Sequence, residues 1–227
     1  MQTKVKLTKR QLKEDKFTTF MLTAKDRVQE NWQFYVIAFL ALILVVVGTI
    51  YFINQGKTRQ QEAALKFADA QAQYRNGNED VAVLNVTQLI SDYQGTKAAE
   101  RALFWLAKYD LDKKNYADAQ KYFEQFLKEV KGDKFRRAAA LAGIAVALED
   151  QSKFADAARK YVEAAEEYPD GPEAADYRYE AMRNFLTAGD ETSARAQLDI
   201  IESQFSDSPV RNQAVELFAE KSSQQGT

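Results

Sequence analysis

The sequence predicts an all-α protein, in which a single N-terminal transmembrane helix is followed by an α-solenoid of about four helix pairs and a capping helix. Residues 34–53 form an uninterrupted apolar run, and four later segments repeat at spacings of 37 to 38 residues. The chain has 9 Gly and 3 Pro in 227 residues. So few turn residues argue against sandwiches and barrels, which need many tight turns.

The composition excludes several kinds of chemistry. The chain has no Cys and no His, so a thiol nucleophile, an imidazole base, a disulfide and a Cys/His zinc site are impossible. It also has no Gly-rich phosphate loop, and acids such as Glu166, Glu167 and Asp170 fit a solvated helical face. We therefore expect no enzyme, no metal and no cofactor.

Residues 1–31 form a basic head. They contain eight Lys/Arg and four Asp/Glu, which leaves 23 basic and 29 acidic residues in the rest of the chain. An acidic body argues against nucleic-acid binding. In the head, Phe17, Phe20, Met21, Ala24 and Val28 fall on one face of a short amphipathic helix. This helix either rests on anionic lipid or docks on a partner.

The next segment predicts a membrane anchor over residues 32–55. Residues 31–56 carry no charge, and the 20 apolar residues of 34–53 are long enough for a hydrocarbon core of about 30 Å. A cleaved signal peptide would have a shorter head and a shorter apolar run. Because Lys/Arg excess marks the cytoplasmic flank, we expect the N-terminus to be cytoplasmic and residues 57–227 to be exported, in a Gram-negative bacterium to the periplasm.

The remaining chain repeats a two-helix unit. Each copy contains the same three positions: a small residue, a larger residue four positions later, and a third residue three positions after that. The residues at these positions are Ala82, Val86 and Leu89; Ala119, Phe123 and Phe126; Ala157, Tyr161 and Ala164; and Ala194, Leu198 and Ile201. The small residue allows a second helix to pack closely, and the residue four positions on points into the same seam. The third residue is expected to meet the next repeat. Partner helices are expected at 62–75, 98–113, 136–150 and 173–187, with turns at Gly77, Asn115, Ser152 and Gly189.

These units cannot bury both faces alone and are expected to stack into a solenoid over 56–220. The predicted repeats cover about 62–95, 98–132, 136–169 and 173–207. A capping helix follows at 210–220, and residues 221–227 are expected to form a flexible tail.

The third copy resembles the tetratricopeptide repeat. The matching residues are Phe154, Ala157, Tyr161, Ala164 and Pro169, and the second copy matches at Tyr116, Ala119 and Phe123. With the basic head and one anchor, the whole arrangement resembles the bacterial ancillary SecYEG translocon subunit family. That resemblance implies a single-pass inner-membrane protein whose periplasmic repeats serve traffic of exported proteins between translocon and chaperones.

The resemblance also implies a concave groove lined by the first helix of each pair. The family's groove positions fall on Phe67, Gln71 and Tyr74; Arg101, Phe104, Lys108 and Leu111; Val146 and Glu149; and Tyr179, Arg183 and Leu186. An aromatic floor with basic residues around it suits an extended peptide. The alternative is that these aromatics pack between repeats, as we expect for Trp105.

Two functions remain open. The first is an interaction module that binds exported polypeptides or chaperones near the Sec translocon. The second is a structural scaffold or oligomerisation subunit of a secretion or division complex, which an exposed apolar end of the solenoid would favour. Lys131, Lys134, Arg136 and Arg137 form a basic cluster at a repeat boundary, explained by solvation or by an acidic patch on a partner.

Overall fold

The computed structural model describes residues 18–21 and 31–225, and all regular structure in these residues is helical. Apart from one turn at 18–21, nine helices occur in the described ranges: α1 Trp32–Arg75, α2 Glu79–Asp92, α3 Lys97–Asp112, α4 Tyr116–Glu129, α5 Lys134–Asp150, α6 Phe154–Glu167, α7 Ala174–Thr187, α8 Glu191–Gln204 and α9 Pro209–Gln225. The predicted all-α class, with helix pairs and a capping helix, is confirmed.

The chain divides into two compact units, residues 1–58 and 59–227. In the first unit, α1 carries the apolar run, and its large side chains from Phe34 to Ile53 are exposed. By length and composition, it is the one helix in the described ranges that is suited to cross a membrane. Of the predicted amphipathic head, only Phe20 and Met21 lie in the described ranges, where both are exposed; Phe17, Ala24 and Val28 lie outside them.

Helix α1 runs without a break from Trp32 to Arg75, whereas the sequence predicts two helices, a span that ends at 55 and a repeat helix that begins near 62. The intervening residues GKTRQQE contain one glycine and no proline. The other residues are mostly good helix formers, so nothing in this stretch stops the helix. In the second unit, residues 59–75 of α1 therefore supply the first helix of the first pair.

The second unit stacks helix pairs in chain order. Consecutive helices from α2 to α8 pack on one another, α3 also contacts α5, and α9 packs on α7 and α8 as a cap. All twelve repeat residues, from Ala82 to Ile201, are buried. The recurrence of small and large residues therefore marks the seams between helices, as expected from the sequence.

The turn inside each pair has the same geometry in all four copies. Gly77, Lys114, Ser152 and Gly189, each five residues before the buried alanine, have φ values of 85°, 63°, 57° and 80°. In each copy the next residue donates its N–H to a carbonyl five residues back, as Asn115 does to Asp110 at 2.8 Å. This is the Schellman pattern that ends a helix with a left-handed residue.

Asn115 lies in the turn between α3 and α4, as predicted, and the left-handed residue of that turn is Lys114, one position earlier. Asparagine tolerates the left-handed region better than lysine does, so residue preferences alone would favour position 115 for that conformation. The hydrogen bonds of the turn fix the lysine there instead.

Two hydrophobic clusters hold the second unit together. One joins α1, α2 and α3 and includes Phe67, Leu89 and Leu106. The other runs from α3 to α9 and includes Phe123, Phe126 and Met182. The partly buried side chains of Ile90 and Tyr122 pack against both clusters.

Candidate partner-binding surface

The predicted groove residues lie on α1, α3, α5 and α7, the first helices of the four pairs. Two of them are core residues: the side chains of Phe67 and Leu186 are 6% and 5% exposed. Their apolar area is already buried between helices, so they support the surface from below and offer little contact to a partner. The expected aromatic floor is therefore narrower than the sequence analysis suggested.

Phe104 also packs mainly inward. Its ring centroid lies 5.8 Å from that of Phe123 and 5.3 Å from that of Phe126. Leu111 and Tyr179 are partly buried and pack against the same cluster. Each of these three residues packs between repeats and also exposes an edge to solvent. The two alternatives predicted from the sequence, packing between repeats and lining a groove, are therefore compatible at these positions.

An aromatic cluster forms between the first two pairs. The ring of Tyr74 meets Trp105 edge-on at 5.2 Å, and Trp105 stacks on Tyr109 at 5.6 Å. Trp105 packs against other residues, as expected. One of its neighbours, Tyr74, remains 37% exposed. Amphipathic rings of this kind are common contact residues at protein interfaces.

A polar cluster anchors this aromatic group at the start of α2. The Tyr109 hydroxyl donates to Glu79 at 3.3 Å, and Lys113 pairs with the same carboxylate at 2.6 Å. The hydrogen bond from Lys113 lowers the pKa of Glu79. Burial is the main cause that raises the pKa of Tyr109, so its hydroxyl stays a neutral donor.

The basic residues of the predicted groove fall into two groups. Arg183 is neutralised, because its guanidinium contacts Glu149 at 2.6 Å and Glu180 at 2.7 Å. Arg101 and Lys108 are exposed on α3, and neither forms an ion pair with any carboxylate in the described ranges. A ligand carboxylate would therefore meet an uncompensated charge on α3 and a compensated one on α7.

Buried Asn184, which was not among the residues predicted from the sequence, completes the network on α7. Its amide nitrogen donates to Glu149 and, at 2.9 Å, to the carbonyl of Glu180. A carboxylate accepts hydrogen bonds only, so it selects this orientation of the amide. The only sequence signal was that Glu149 and Arg183 hold groove positions in successive first helices.

A second concave feature lies at one edge of the stack. It is a cleft of about 1080 Å³ between the start of α3, the α4–α5 connection and the end of α6. Its lining includes Arg101, Lys131, Lys134, Phe135 and Tyr168. The sequence signal was the run of basic residues near 131–137, but Phe135 and Tyr168 were not singled out. Arg137, a member of that run, is instead tied into the structure by Glu167 at 2.7 Å.

Within residues 18–21 and 31–225, no group of Asp and Glu side chains has the arrangement of a metal site. The features that remain are aromatic edges, uncompensated lysine and arginine charges, and concave surfaces. These features suit the binding of a polypeptide chain.

Comparison with protein families agrees with this description. A family model described as a tetratricopeptide repeat-like domain matches residues 25–178. Comparison with curated proteins gives no match.

Among solved structures, two crystal structures from Podosopora anserina are similar. Both contain nearly identical TPR-like repeats described as those of a putative kinesin light chain, and one of the two is of a variant with a single substitution. They are 14% and 15% identical to this chain, each with a TM-score of 0.54, and each alignment covers 74% of this chain and 88% of the other. At this identity the likeness concerns the fold alone.

Proposed function

Because the chain belongs to the tetratricopeptide repeat-like domain family, we propose that it is a membrane-anchored protein–protein interaction module. Helix α1 is the anchor, and the repeats bind exported polypeptides or chaperones near the Sec translocon of a bacterial inner membrane. Repeats of this fold typically act as non-catalytic scaffolds for proteins, and the surface described above has the chemistry for that role.

The observation that carries the proposal is the face of α3. Exposed Lys108 lies on the same helix as Phe104 and Trp105, whose rings are only partly buried. A peptide on this face would gain apolar contact from the rings and a charge-assisted hydrogen bond from the lysine. Tyr74 extends the apolar contact towards the first pair through its edge-on contact with Trp105.

The anchor and its direction are supported by sequence and helix length together. The charge-free segment lies almost entirely within α1, and the Lys/Arg excess precedes it. We therefore expect the repeats on the exported side. A phosphatase that is active only outside the cytoplasm, fused after Thr227, tests this expectation. An inactive phosphatase with an active cytoplasmic reporter at the same place contradicts it.

Photocrosslinking in living bacteria tests the partner class. A photoreactive amino acid is placed at Lys108, with a matched position at Lys121, which is exposed on α4. We expect Lys108 to give adducts with translocon subunits, exported polypeptides or chaperones, identified by mass spectrometry, and Lys121 to give few. Equal adducts at both positions contradict binding on the α3 face.

One observation favours a second function, an oligomerising scaffold. In the first helix pair, Leu65 of α1 and Val81 and Leu84 of α2 are exposed. Exposed apolar side chains are common where protein surfaces associate. A third photoreactive position, at Leu84, distinguishes the two functions. Adducts of the chain with itself at Leu84, and none with other proteins at Lys108, favour the scaffold.

A further inference from the structure

The edge cleft is built by three separate parts of the second unit. The first turns of α3 contribute Lys97, Glu100 and Arg101, and the end of α6 contributes Tyr168. The end of α4, the α4–α5 connection and the start of α5 supply a continuous segment, residues 129–136. Its volume of about 1080 Å³ is that of a groove for several residues of a polypeptide.

The charges in the cleft do not balance. Its lining has five Lys/Arg and three Asp/Glu residues, and each acid already has a partner. Glu100 pairs with Lys97 at 2.8 Å, Asp133 pairs with Arg136 at 3.0 Å, and Glu129 accepts hydrogen bonds from Gln94 and Gln125.

Three cations in the lining have no ion-pair partner among the described residues, and because the partners of Glu129 are neutral amides, the lining has a net charge of +2. Arg101, Lys131 and Lys134 make no ion pair within the part of the chain that the structure describes, and all three are exposed. Arg101 and Lys131 donate hydrogen bonds to backbone carbonyls one turn back, those of Lys97 and Leu127. On a body with more acidic than basic residues, this is a local site of positive potential.

The segment that carries two of these cations is fixed at its base. Arg137 donates to the carbonyls of Leu127 and Val130 at 2.8 and 2.7 Å and holds Glu167 through two hydrogen bonds. Asp133 caps α5 by accepting the N–H of Arg136 at 3.0 Å. The connection therefore needs little further ordering when a ligand binds.

The cleft also has an apolar contact point. Phe135 is 51% exposed, although phenylalanine is one of the residue types most often buried. It stands between Lys134 and Arg136 in the sequence and lines the cleft together with Tyr168. An exposed ring flanked by cations suits a ligand that carries both negative charge and an apolar side chain.

We propose that this cleft binds an acidic polypeptide segment, whose carboxylates contact Arg101, Lys131 and Lys134 and whose apolar side chain packs on Phe135. This deepens, and rests on, the proposed function of binding polypeptides. The concave shape favours a chain over a bilayer, because a flat lipid surface would contact the rim of the cleft and not its floor.

Binding to a defined probe tests the proposal on the full chain in a neutral detergent. The probe is a fluorescent synthetic peptide rich in Asp and Glu with one central Phe, followed by fluorescence anisotropy. The cleft variant is Lys131→Glu with Lys134→Glu. The matched control is Lys121→Glu with Lys153→Glu, which changes the net charge equally at two exposed positions outside the cleft.

The control is needed because the basic head also attracts acidic peptides. We expect the cleft variant to weaken binding about tenfold or more and the control variant to change it less than about twofold. Phe135→Ser should weaken binding to the Phe-containing peptide but not to a peptide with Ser in its place. Equal losses in the cleft and control variants overturn the proposal, since binding would then follow net charge alone.

A second probe separates a polypeptide from a lipid headgroup. Short-chain phosphatidylglycerol, soluble as a monomer, is titrated against the same variants by calorimetry. If the lipid binds in a cleft-dependent manner and the acidic peptide does not, the ligand is a lipid surface and the proposal is wrong. Cleft-dependent binding of the peptide, with weak lipid binding that is equal in all variants, supports it.

Crosslinking in cells separates this inference from the proposed function. The photoreactive amino acid is placed at Phe135 or at Lys108 of the full chain. Adducts with other proteins at Lys108 and none at Phe135 overturn the cleft and leave the proposed function standing. If Lys108 gives no adducts and Phe135 gives adducts only with copies of this chain, both fail in favour of self-association.

Discussion

The ring of Phe123 lies directly against the backbone of Gly143. A methyl group built on Gly143 would come within 2.3 Å of the ring's Cε2 and 2.5 Å of its Cζ. Phe123 is 1% exposed and enclosed by the larger hydrophobic cluster, so its ring has no room to move away. Glycine at position 143 therefore allows α5 to approach α4.

The first prediction follows from that contact. In an ordinary helix interior, Gly→Ala stabilises by about 1 kcal/mol. Gly143→Ala should instead destabilise the full chain by about 1 to 3 kcal/mol through overpacking. Thermal melts followed by circular dichroism measure the change. Phe123→Leu in the same chain should recover part of the loss, and a Gly143→Ala chain as stable as the wild type would show that α4 and α5 are further apart.

The second prediction concerns the left-handed residues Lys114 and Ser152, whose counterparts in the other two copies are Gly77 and Gly189. A side chain in this backbone region is strained, and glycine is not. Lys114→Gly should therefore stabilise the repeats by about 0.5 to 1 kcal/mol, although glycine usually destabilises. Asn115→Gly, one residue later, is the control and should give no gain in melting temperature. A loss of stability in Lys114→Gly would contradict the assigned turn.

The third prediction concerns the pair of Arg137 and Glu167. The hydrogen bond from Arg137 is the main cause that lowers the pKa of Glu167. A carboxyl with a lower pKa in the folded chain stabilises it above the unfolded pKa, and that stabilisation is lost as the pH falls through the folded value. Glu167→Gln should therefore cost about 1 to 2 kcal/mol at neutral pH and little once the pH is below the lowered pKa of Glu167 in the folded chain.

Urea unfolding at several pH values measures this difference. Arg137→Met should cost more than Glu167→Gln, because it also removes the donors to the carbonyls of Leu127 and Val130. Exposed Glu163, which pairs with Lys160 at 2.7 Å, provides the control, since exposed pairs contribute little. If Glu163→Gln costs as much as Glu167→Gln, the pair does not hold the α4–α5 connection.

The fourth prediction has the opposite pH dependence. Asp110 is buried and forms no ion pair within the described ranges. Burial is the main cause that raises its pKa, and a hydrogen bond from Asn115 partly lowers it. The folded chain thus prefers the protonated acid, and stability falls as the pH rises past the unfolded value of about 3.9. Asp110→Asn should raise the melting temperature at neutral pH, and the gain should vanish in acid. Asp112→Asn, at an exposed position, is the control and should not change the melting temperature at either pH.

The fold was predictable because the repeated residues in the sequence are the ones that pack between helices. A small residue and a large one at fixed spacing must meet in a seam, and Ala119 with Phe123 shows this in the structure. The turn between α3 and α4 was predicted, but the left-handed conformation of Lys114 was not, because it is set by backbone hydrogen bonds. The continuity of α1 was missed because a change in polarity indicates a boundary between environments and does not by itself end a helix.

The candidate surface was less predictable, since its properties depend on contacts between distant residues. Sequence spacing places Arg183 and Lys108 alike on first helices. The charge of Arg183 is compensated by Glu149, which is 34 residues away in the sequence and reaches it only through stacking, whereas Lys108 has no ion-pair partner in the described ranges. In the same way, no pattern of polarity shows that Phe67 is covered while Tyr74 keeps an edge in solvent.

The two hydrophobic clusters, joined through Ile90 and Tyr122, also have a consequence for hydrogen exchange. A stack in which each pair contacts only its neighbours can open locally, and its weakest junction is where the fewest buried side chains are shared. We expect the backbone amides of α2 to exchange with solvent as one cooperative group and those of α5 to α8 as a slower one. Trimming Tyr122 to Ala should widen the gap between the two rates, so that the molecule unfolds as two blocks.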